Sequence, residues 1–571
     1  MDIAIDFGTS YTKLGCLQDG RFLNLAGSDV NIPSVATWLP STGKLYFGNL
    51  ALRLQEPGAY TSRFFKLMLK RSPSFQLGPY PLPELMREYF RFLVDEYIKP
   101  HGIAVSSLVL SVPNYFGLHA RRLLIEAAFA ATGTENIRLL PEPAAALLGH
   151  NDIHSNQVLT GDVLCIDIGG GTTDFSFLSL SGQGKKILLE SQLQIGNDAF
   201  SGSELDRGVL RNIFFPAFTM QTGSLIPDDL ILEKNLRAHD RYRLNQLMQK
   251  AEAARIELSQ KGHCRCDIPD FYNGQSLVYD LEPNLFDTQM ETIFNRLRDT
   301  FLINVRGKAE RLGLFKGGRW TLDYVLLLGG ASLTRGVKEI ISRLCPGVMI
   351  ISPFERDSAV VRGLCRWSNE DLSNKTVIKN IYPFDFYIEK KSNEADTFCL
   401  EKIPFDTGNL ELDLEQTYPI FSFPVQSDYN LAANPGDLHC RVYELSEGEN
   451  PAEVTPDRFL GQEMLLGTED YDNLTGDNVT VYLNLVKSRL ELTGYDTAAR
   501  GRKSLLDWQR ELPDHQQAAA SLLENYPFID KRLKNDFYQH LQQANGSEAY
   551  KSWENTVLYK MLYLIQILEG K

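Results

Sequence analysis

The chain carries no G-x-x-x-x-G-K-[ST] run in its 571 residues, which excludes a P-loop nucleotide site. It has no C-x-x-C pair either. Its eight cysteines are scattered, and the nearest two, Cys264 and Cys266, lack a second ligand pair to complete a zinc site. Reduced thiols are the expectation. No stretch approaches the ~20 apolar residues of a membrane span, and "MDIAIDFG" lacks the basic flank and apolar core of a signal peptide. Positive charge is in short supply: 58 Lys and Arg against 72 Asp and Glu leave a net charge of −14, which argues against a broad nucleic-acid surface. Fixed-period repeats and low-complexity tracts are missing too. Together these absences predict a cytoplasmic protein with no nucleic-acid or membrane partner.

What is present reads as α/β. Apolar, β-branched runs end in Gly-rich turns: "IAIDFGTS", "SLVLSVPNYFG", "VLCIDIGGGTTD" and "YVLLLGGASLTR". Helical periodicity lies between them, over 117–132 and 240–260. The pattern predicts a first domain over 1–370 and a polar, Pro-containing linker over 371–383. Alternating apolar and polar runs follow over 384–503, the mark of antiparallel strands. Helix formers return over 504–571, where Trp553, Leu558, Met561, Leu562, Ile565 and Leu568 form a packing stripe.

Two turns carry the chemistry. In Asp6-Phe7-Gly8-Thr9-Ser10 and again in Asp167-Ile168-Gly169-Gly170-Gly171-Thr172-Thr173-Asp174, a carboxylate ends a strand and glycines with hydroxyl residues follow. Glycine lets the main chain approach a ligand and offer its N–H groups, which suits phosphate oxygens. The carboxylates would repel a bare phosphate, so Mg²⁺ and its waters belong between them. The plain alternative is a pair of tight turns in which Asp acts as an Asx or capping residue. A second copy about 160 residues on, and a third Gly-rich turn at Gly329-Gly330-Ala331-Ser332, favour the polyphosphate seat and suggest duplicated halves.

These motifs resemble the actin, sugar-kinase and heat-shock ATPase superfamily, and within it the seventy-kilodalton (DnaK-like) heat-shock chaperones. "IAIDFGTSYTKLG" and "CIDIGGGTTD" are similar to the two phosphate loops, and "AEAARIELS" and "VLLLGGASLTRG" to the adenosine-contacting helix and turn. "SVPNYFGLHARRLLIEAAFAATG" with "LLPEPAAALLGH" is similar to the connecting segment, which actins and sugar kinases do not share. The resemblance implies a two-lobed, actin-like ATPase domain that binds ATP or ADP. Asp6 and Asp167 would position Mg²⁺ through water, and Asp174 would lie near a monovalent cation such as K⁺. Gly8, Thr9, Ser10, Gly170, Gly171 and Thr172 would hold phosphates; Lys66, Glu142, Asp167 and Thr172 would be catalytic. Glu252, Arg255 and Ser259 would face the adenosine, Gly330 and Arg335 would flank the base, and Tyr11, Gly196, Ala331 and Asp357 would complete the nucleotide-binding set. Pro113, Arg121 and Arg138 would couple the nucleotide to other domains. For Lys66, among Phe and Leu in "RFFKLML", the alternative is a snorkelling lysine; for Glu142 it is a helix-N-terminal acid.

The tail decides the class. "YPFDFYIE" and the strands beyond it resemble the chaperone's β-sandwich, and the helical segment a shortened lid. The resemblance implies an ATP-dependent chaperone whose β-domain grips client polypeptide, with a J-domain co-chaperone and a nucleotide-exchange factor as partners. Two rival readings stand beside it: a nucleotide-gated scaffold with one dedicated partner, and a small-molecule kinase. Departures are visible. The linker reads "TVIKNIYP", with Lys379 and Asn380 where the family has apolar residues and an acid, and a lysine in a docking strand incurs a desolvation cost. Pro141 replaces the usual Asn beside Glu142.

Overall fold

The computed structural model describes residues 1–27, 31–54, 58–71, 75–113, 116–153, 159–183, 186–197, 199–233, 238–352, 356–369, 377–380, 382, 384–391, 398–406, 410–411, 418–424, 426–431, 438–446, 451, 464–466, 478–484 and 489–494. The expected helical segment over 504–571 lies outside them. Two units emerge: 1–418 with 441–462 and 483–489, and 419–440 with 463–482 and 490–571.

Two mixed sheets organise the first unit. One is ordered Ile137–Pro141, Ser107–Val112, Asp2–Phe7, Tyr11–Gln18, Arg21–Asn24, with Ile32–Pro33 paired to Tyr11–Gln18. The other is ordered Met349–Ile351, Tyr324–Leu328, Gly161–Ile168, Thr173–Gln183, Lys186–Asn197, Val377–Asn380, Leu410–Glu411. The halves repeat one plan. In each, the Asp-bearing strand forms an antiparallel hairpin with the next strand and a parallel pair with a later one. The central strands are buried on both faces, as their unbroken apolar runs require. Each sheet has its own hydrophobic core, one including Ile3, Phe7 and Phe90, the other Ile166, Phe175 and Phe214.

The helices follow the apolar periods. Helix Leu118–Thr132 buries Leu118, Ala120, Arg121, Leu124, Ala127 and Ala128 and ends at Gly133, whose φ of 70° supplies the left-handed cap. Helix Ala238–Lys261 buries Leu244, Leu247, Met248, Ala251, Ala254, Arg255 and Leu258, a stripe at 3–4 residue spacing. Helices Glu142–Ile153 and Arg356–Ser368 cross at main-chain contact. A Cβ on Gly149 would fall 1.7 Å from the Ala359 carbonyl oxygen, and one on Gly363 would fall 1.8 Å from that of Ala145. Glu142 therefore starts a helix fixed against helix Arg356–Ser368.

The linker region contributes a strand rather than a loop. Val377–Asn380 runs parallel to Lys186–Asn197, with Leu188, Leu189 and Glu190 opposite Val377, Ile378 and Lys379. Lys379 meets its desolvation cost in two ways: about a third of its side chain stays exposed, and its Nζ lies 3.4 Å from Glu190 Oε1. Strand Phe384–Lys391 then pairs with Phe398–Lys402 and Val442–Ser446. Strands Tyr418–Pro424, Asn478–Asn484 and Arg489–Gly494 form one sheet, and Leu438–Cys440 pairs with Met464–Leu466. All eight cysteines are free thiols, seven of them buried.

Candidate functional site

The first phosphate-loop candidate is the turn of a β-hairpin. Gly8 N–H donates to the Tyr11 and Asp6 carbonyls at 3.1 and 3.2 Å, and a Cβ there would lie 2.3 Å from the Tyr11 oxygen, so only glycine fits. A chain of buried hydroxyls holds the turn from below. Tyr89 Oη donates to Thr12 Oγ1 at 2.8 Å, Thr12 and Ser34 hydroxyls lie 2.9 Å apart, and Ser34 Oγ donates to the Gly8 carbonyl at 2.8 Å. Ser34 N–H also takes the Ser10 carbonyl, at 2.8 Å. The carbonyls of Gly8 and Ser10 are thus both engaged on Ser34.

The second candidate loop faces the first. Asp167 ends its strand opposite Asp174, and Gly169 N–H closes the turn on the Thr172 carbonyl at 2.9 Å. Thr172 Oγ1 donates to Asp174 Oδ2 at 3.1 Å. A Cβ on Gly170 would fall 1.8 Å from Ser10 Oγ; one on Gly171 would fall 2.6 Å from Leu67 Cδ1 and 2.8 Å from Thr9 Cγ2. The two loops are thus in van der Waals contact through glycine. Gly329 of the third turn approaches as closely, since a Cβ there would meet Asp167 Oδ1 at 2.3 Å. Gly196 sits opposite Asp174 on the adjoining strand.

Charge concentrates between the loops. Asp6 is 5% exposed and accepts from Ser111 Oγ at 2.8 Å. Lys66 is 1% exposed; its ammonium pairs with Glu142 Oε1 at 2.8 Å and also donates to the Phe7 carbonyl. It lies 5.3 Å from the centre of the Phe7 ring. That excludes the snorkelling alternative, in which the head group reaches water. Desolvation raises the Glu142 carboxyl above the usual range, with Lys66 opposing and Asp6 adding to the shift. Desolvation, then the Glu142 and Asp6 carboxylates, push Asp167 up to about 7. Such a cluster favours a cation. Among the described residues no three His, Cys, Asp or Glu side chains are placed to ligate one ion directly.

On the expected adenosine side the predicted residues are only partly free. Arg255 is buried, with Nε 2.7 Å from Asp206 Oδ1 and Nη1 2.8 Å from Thr334 Oγ1. It braces the wall of the site. Glu252 pairs with Arg63 at 2.9 Å, and desolvation together with the Glu252 carboxylate raises the Tyr11 phenol. Ser259 donates to the Arg255 carbonyl and accepts the Arg335 N–H at 3.1 Å. Gly330 and Ala331 form a short 3-10 turn, and Gly330 has open space above its Cα. Arg335 is held by Asp287 through Nε at 3.0 Å and Nη2 at 2.9 Å. Asp357 lies in helix Arg356–Ser368.

The family model described as Hsp70 protein matches residues 88–397. The chain belongs to the Hsp70 family. It is 24% identical over 345 residues to the chaperone protein DnaK of Mycoplasmopsis synoviae (strain 53), and 28% identical over 375 residues to that of Thermus thermophilus. Each match covers 60% of this chain, and 54% and 56% of the relatives, so the alignment spans about half of their length. No described helix is long and apolar enough to cross a membrane.

The three coupling candidates of this Hsp70 chain occupy different settings. The Pro113 carbonyl accepts from Phe116 N–H at 3.1 Å, and Arg121 Nε donates to the Phe116 carbonyl at 2.7 Å. Arg121 is 1% exposed, and burial pulls its guanidinium down to about 10 against the attraction of Glu444. Arg138 is buried with its guanidinium 5.0 Å from the Trp367 ring centre and turned toward the Ser368 carbonyl. Glu444 is the partner the sequence did not reveal. Its carboxylate accepts the Leu118 N–H at 3.1–3.2 Å, capping helix Leu118–Thr132 from strand Val442–Ser446. Lys13, Ser34, Arg63 and Asp206 were missed as well. Only Lys13 had a local signal: closing the hairpin at Gly8–Ser10 places it opposite Asp6.

Proposed function

We propose that this Hsp70-family chain hydrolyses ATP between its two Gly-rich loops and uses that cycle to control a polypeptide-binding β-domain. The observation that carries the reading is the contact of Gly170 and Gly171 with Ser10 and Thr9, directly beside Asp6, Asp167, Glu142 and Lys66. Main-chain N–H groups of Thr9, Ser10 and Gly170–Thr172 would bind the phosphates, while Gly8, whose N–H closes the hairpin on Tyr11 and Asp6, shapes the loop. Bound Mg²⁺ would neutralise phosphate charge and orient the leaving group. Asp6 and Asp167 would hold its water shell, and Asp174 would lie near a K⁺. Glu142, its carboxyl raised by desolvation, orients the attacking water and accepts its proton. Lys66 holds Glu142 in place and offers positive charge to the γ-phosphate.

Coupling to the β-domain is supported by Glu444, which ties strand Val442–Ser446 to helix Leu118–Thr132, and by the linker strand paired with the nucleotide-binding sheet. Client polypeptide, a J-domain co-chaperone and a nucleotide-exchange factor complete the proposal; the inward-facing Arg138 would have to leave Trp367 to meet a J-domain directly. The test combines phosphate release with ATP-dependent release of a fluorescent extended peptide, in the native protein and in Lys66→Ala and Glu142→Ala. Phosphate release without any acceptor, and peptide release lost in both variants, is the expected result. Peptide release indifferent to both substitutions removes the chaperone cycle, and phosphate transfer that requires a small hydroxylated acceptor favours the kinase.

A further inference from the structure

Lys13 stands beside the candidate metal ligand Asp6. It lies on the second strand of the hairpin whose turn is the first phosphate loop, and the strand register sets it opposite Asp6. Opposed side chains of an antiparallel pair are immediate neighbours. Lys13 Nζ lies 3.4 Å from Asp6 Oδ2, while Ser111 holds Asp6 Oδ1 at 2.8 Å. Both oxygens of the carboxylate already face a donor. Each ammonium of the seat stands against one carboxylate, Lys66 at 2.8 Å from Glu142 Oε1 and Lys13 at 3.4 Å from Asp6 Oδ2, so removing Lys13 makes the seat one charge more negative. A polyanionic nucleotide meets that difference directly.

We propose that Lys13 is a nucleotide-binding residue: a resident cation at Asp6 that turns its ammonium to the phosphate oxygens and lets the site hold adenosine di- and triphosphates without a divalent ion. A compact ammonium on a flexible four-carbon stem suits this exchange of partners. The inference rests on the ATP-site reading above. Lys66 is anchored by Glu142 and the Phe7 carbonyl, whereas Lys13 meets Asp6 at the longer distance of 3.4 Å.

The experiment titrates ADP and ATP into the full chain by calorimetry, once with Mg²⁺ and once with EDTA. The native protein is expected to lose no more than about tenfold in affinity when EDTA replaces Mg²⁺. Lys13→Met, which keeps an apolar stem without charge, is expected to lose about a hundredfold in EDTA and less than about tenfold with Mg²⁺; Lys13→Arg is expected to recover most of the loss. Equal EDTA affinity in native protein and Lys13→Met overturns the inference. So does a native protein that binds with Mg²⁺ yet loses about a hundredfold or more in EDTA. Native protein that binds no nucleotide even with Mg²⁺ overturns the ATP-site reading and this inference together.

Discussion

At the scale of single residues the site is set by where a side chain is absent. Gly170 must be bare because Ser10 Oγ occupies the space its Cβ would need, at 1.8 Å. Gly170→Ala is therefore expected to weaken nucleotide binding by at least about tenfold, as one loop is pushed off the other. Because Ser10 is the obstruction, Ser10→Gly combined with Gly170→Ala should recover part of the loss. A double-mutant cycle by calorimetry measures that coupling, and strictly additive losses refute the contact. Charge gives the second residue-scale expectation. Glu142→Gln removes the proton acceptor while preserving shape, so phosphate release should fall by about 10²–10³-fold. MgADP affinity should change little, which separates chemistry from binding. A variant that turns over ATP at the native rate excludes Glu142 from the step.

At the scale of elements, legibility depended on how local the cause was. Helices Leu118–Thr132 and Ala238–Lys261 were readable because their apolar residues recur at helical spacing and their boundaries carry Gly133 or a change of pattern. The Asp-bearing strands were readable because buried β-branched runs ended in glycine. The linker strand was not, since its order comes from pairing with residues 188–190, nearly two hundred positions earlier. Its buried Ile378, at 3% exposed, is the handle for a test. Ile378→Asp would bury an unpaired carboxylate against that sheet, which costs several times more than the half-exposed Lys379–Glu190 pair contributes. Limited proteolysis is expected to cut between 370 and 383 faster in Ile378→Asp than in native protein, and no faster in Lys379→Leu. Equal cutting of all three would mean that pairing with Lys186–Asn197 does not order the segment. The hydroxyl chain of Tyr89, Thr12 and Ser34 was equally hidden, being assembled from three separate stretches.

At the scale of the whole molecule, the question is how a nucleotide between two loops is felt by strands beyond residue 384. The geometry offers a short route. Glu142 heads a helix; the strand before it, Ile137–Pro141, pairs with Ser107–Val112, which leads through Pro113 to Phe116, Gly117 and helix Leu118–Thr132. The start of that helix is held by a carboxylate from strand Val442–Ser446, and the buried Arg121 beside it has Glu444 as its source of negative charge. Nothing in the sequence could signal this contact, because its members are 326 residues apart and each is an ordinary polar or apolar residue. Two substitutions test it from opposite sides. Glu444→Ala removes the acceptor from the helix start, a loss of about 0.5–2 kcal/mol by comparison with other helix caps. Gly117→Ala keeps the acceptor but displaces it, since a Cβ at residue 117 would come within 2.4 Å of Glu444 Oε2. Both variants are expected to keep phosphate release within about threefold of native, because neither residue reaches the loops, while ATP-driven peptide release slows by about tenfold or more. Peptide release at the native rate in both variants would show that nucleotide state reaches the β-domain by another path, with the linker strand as the remaining candidate.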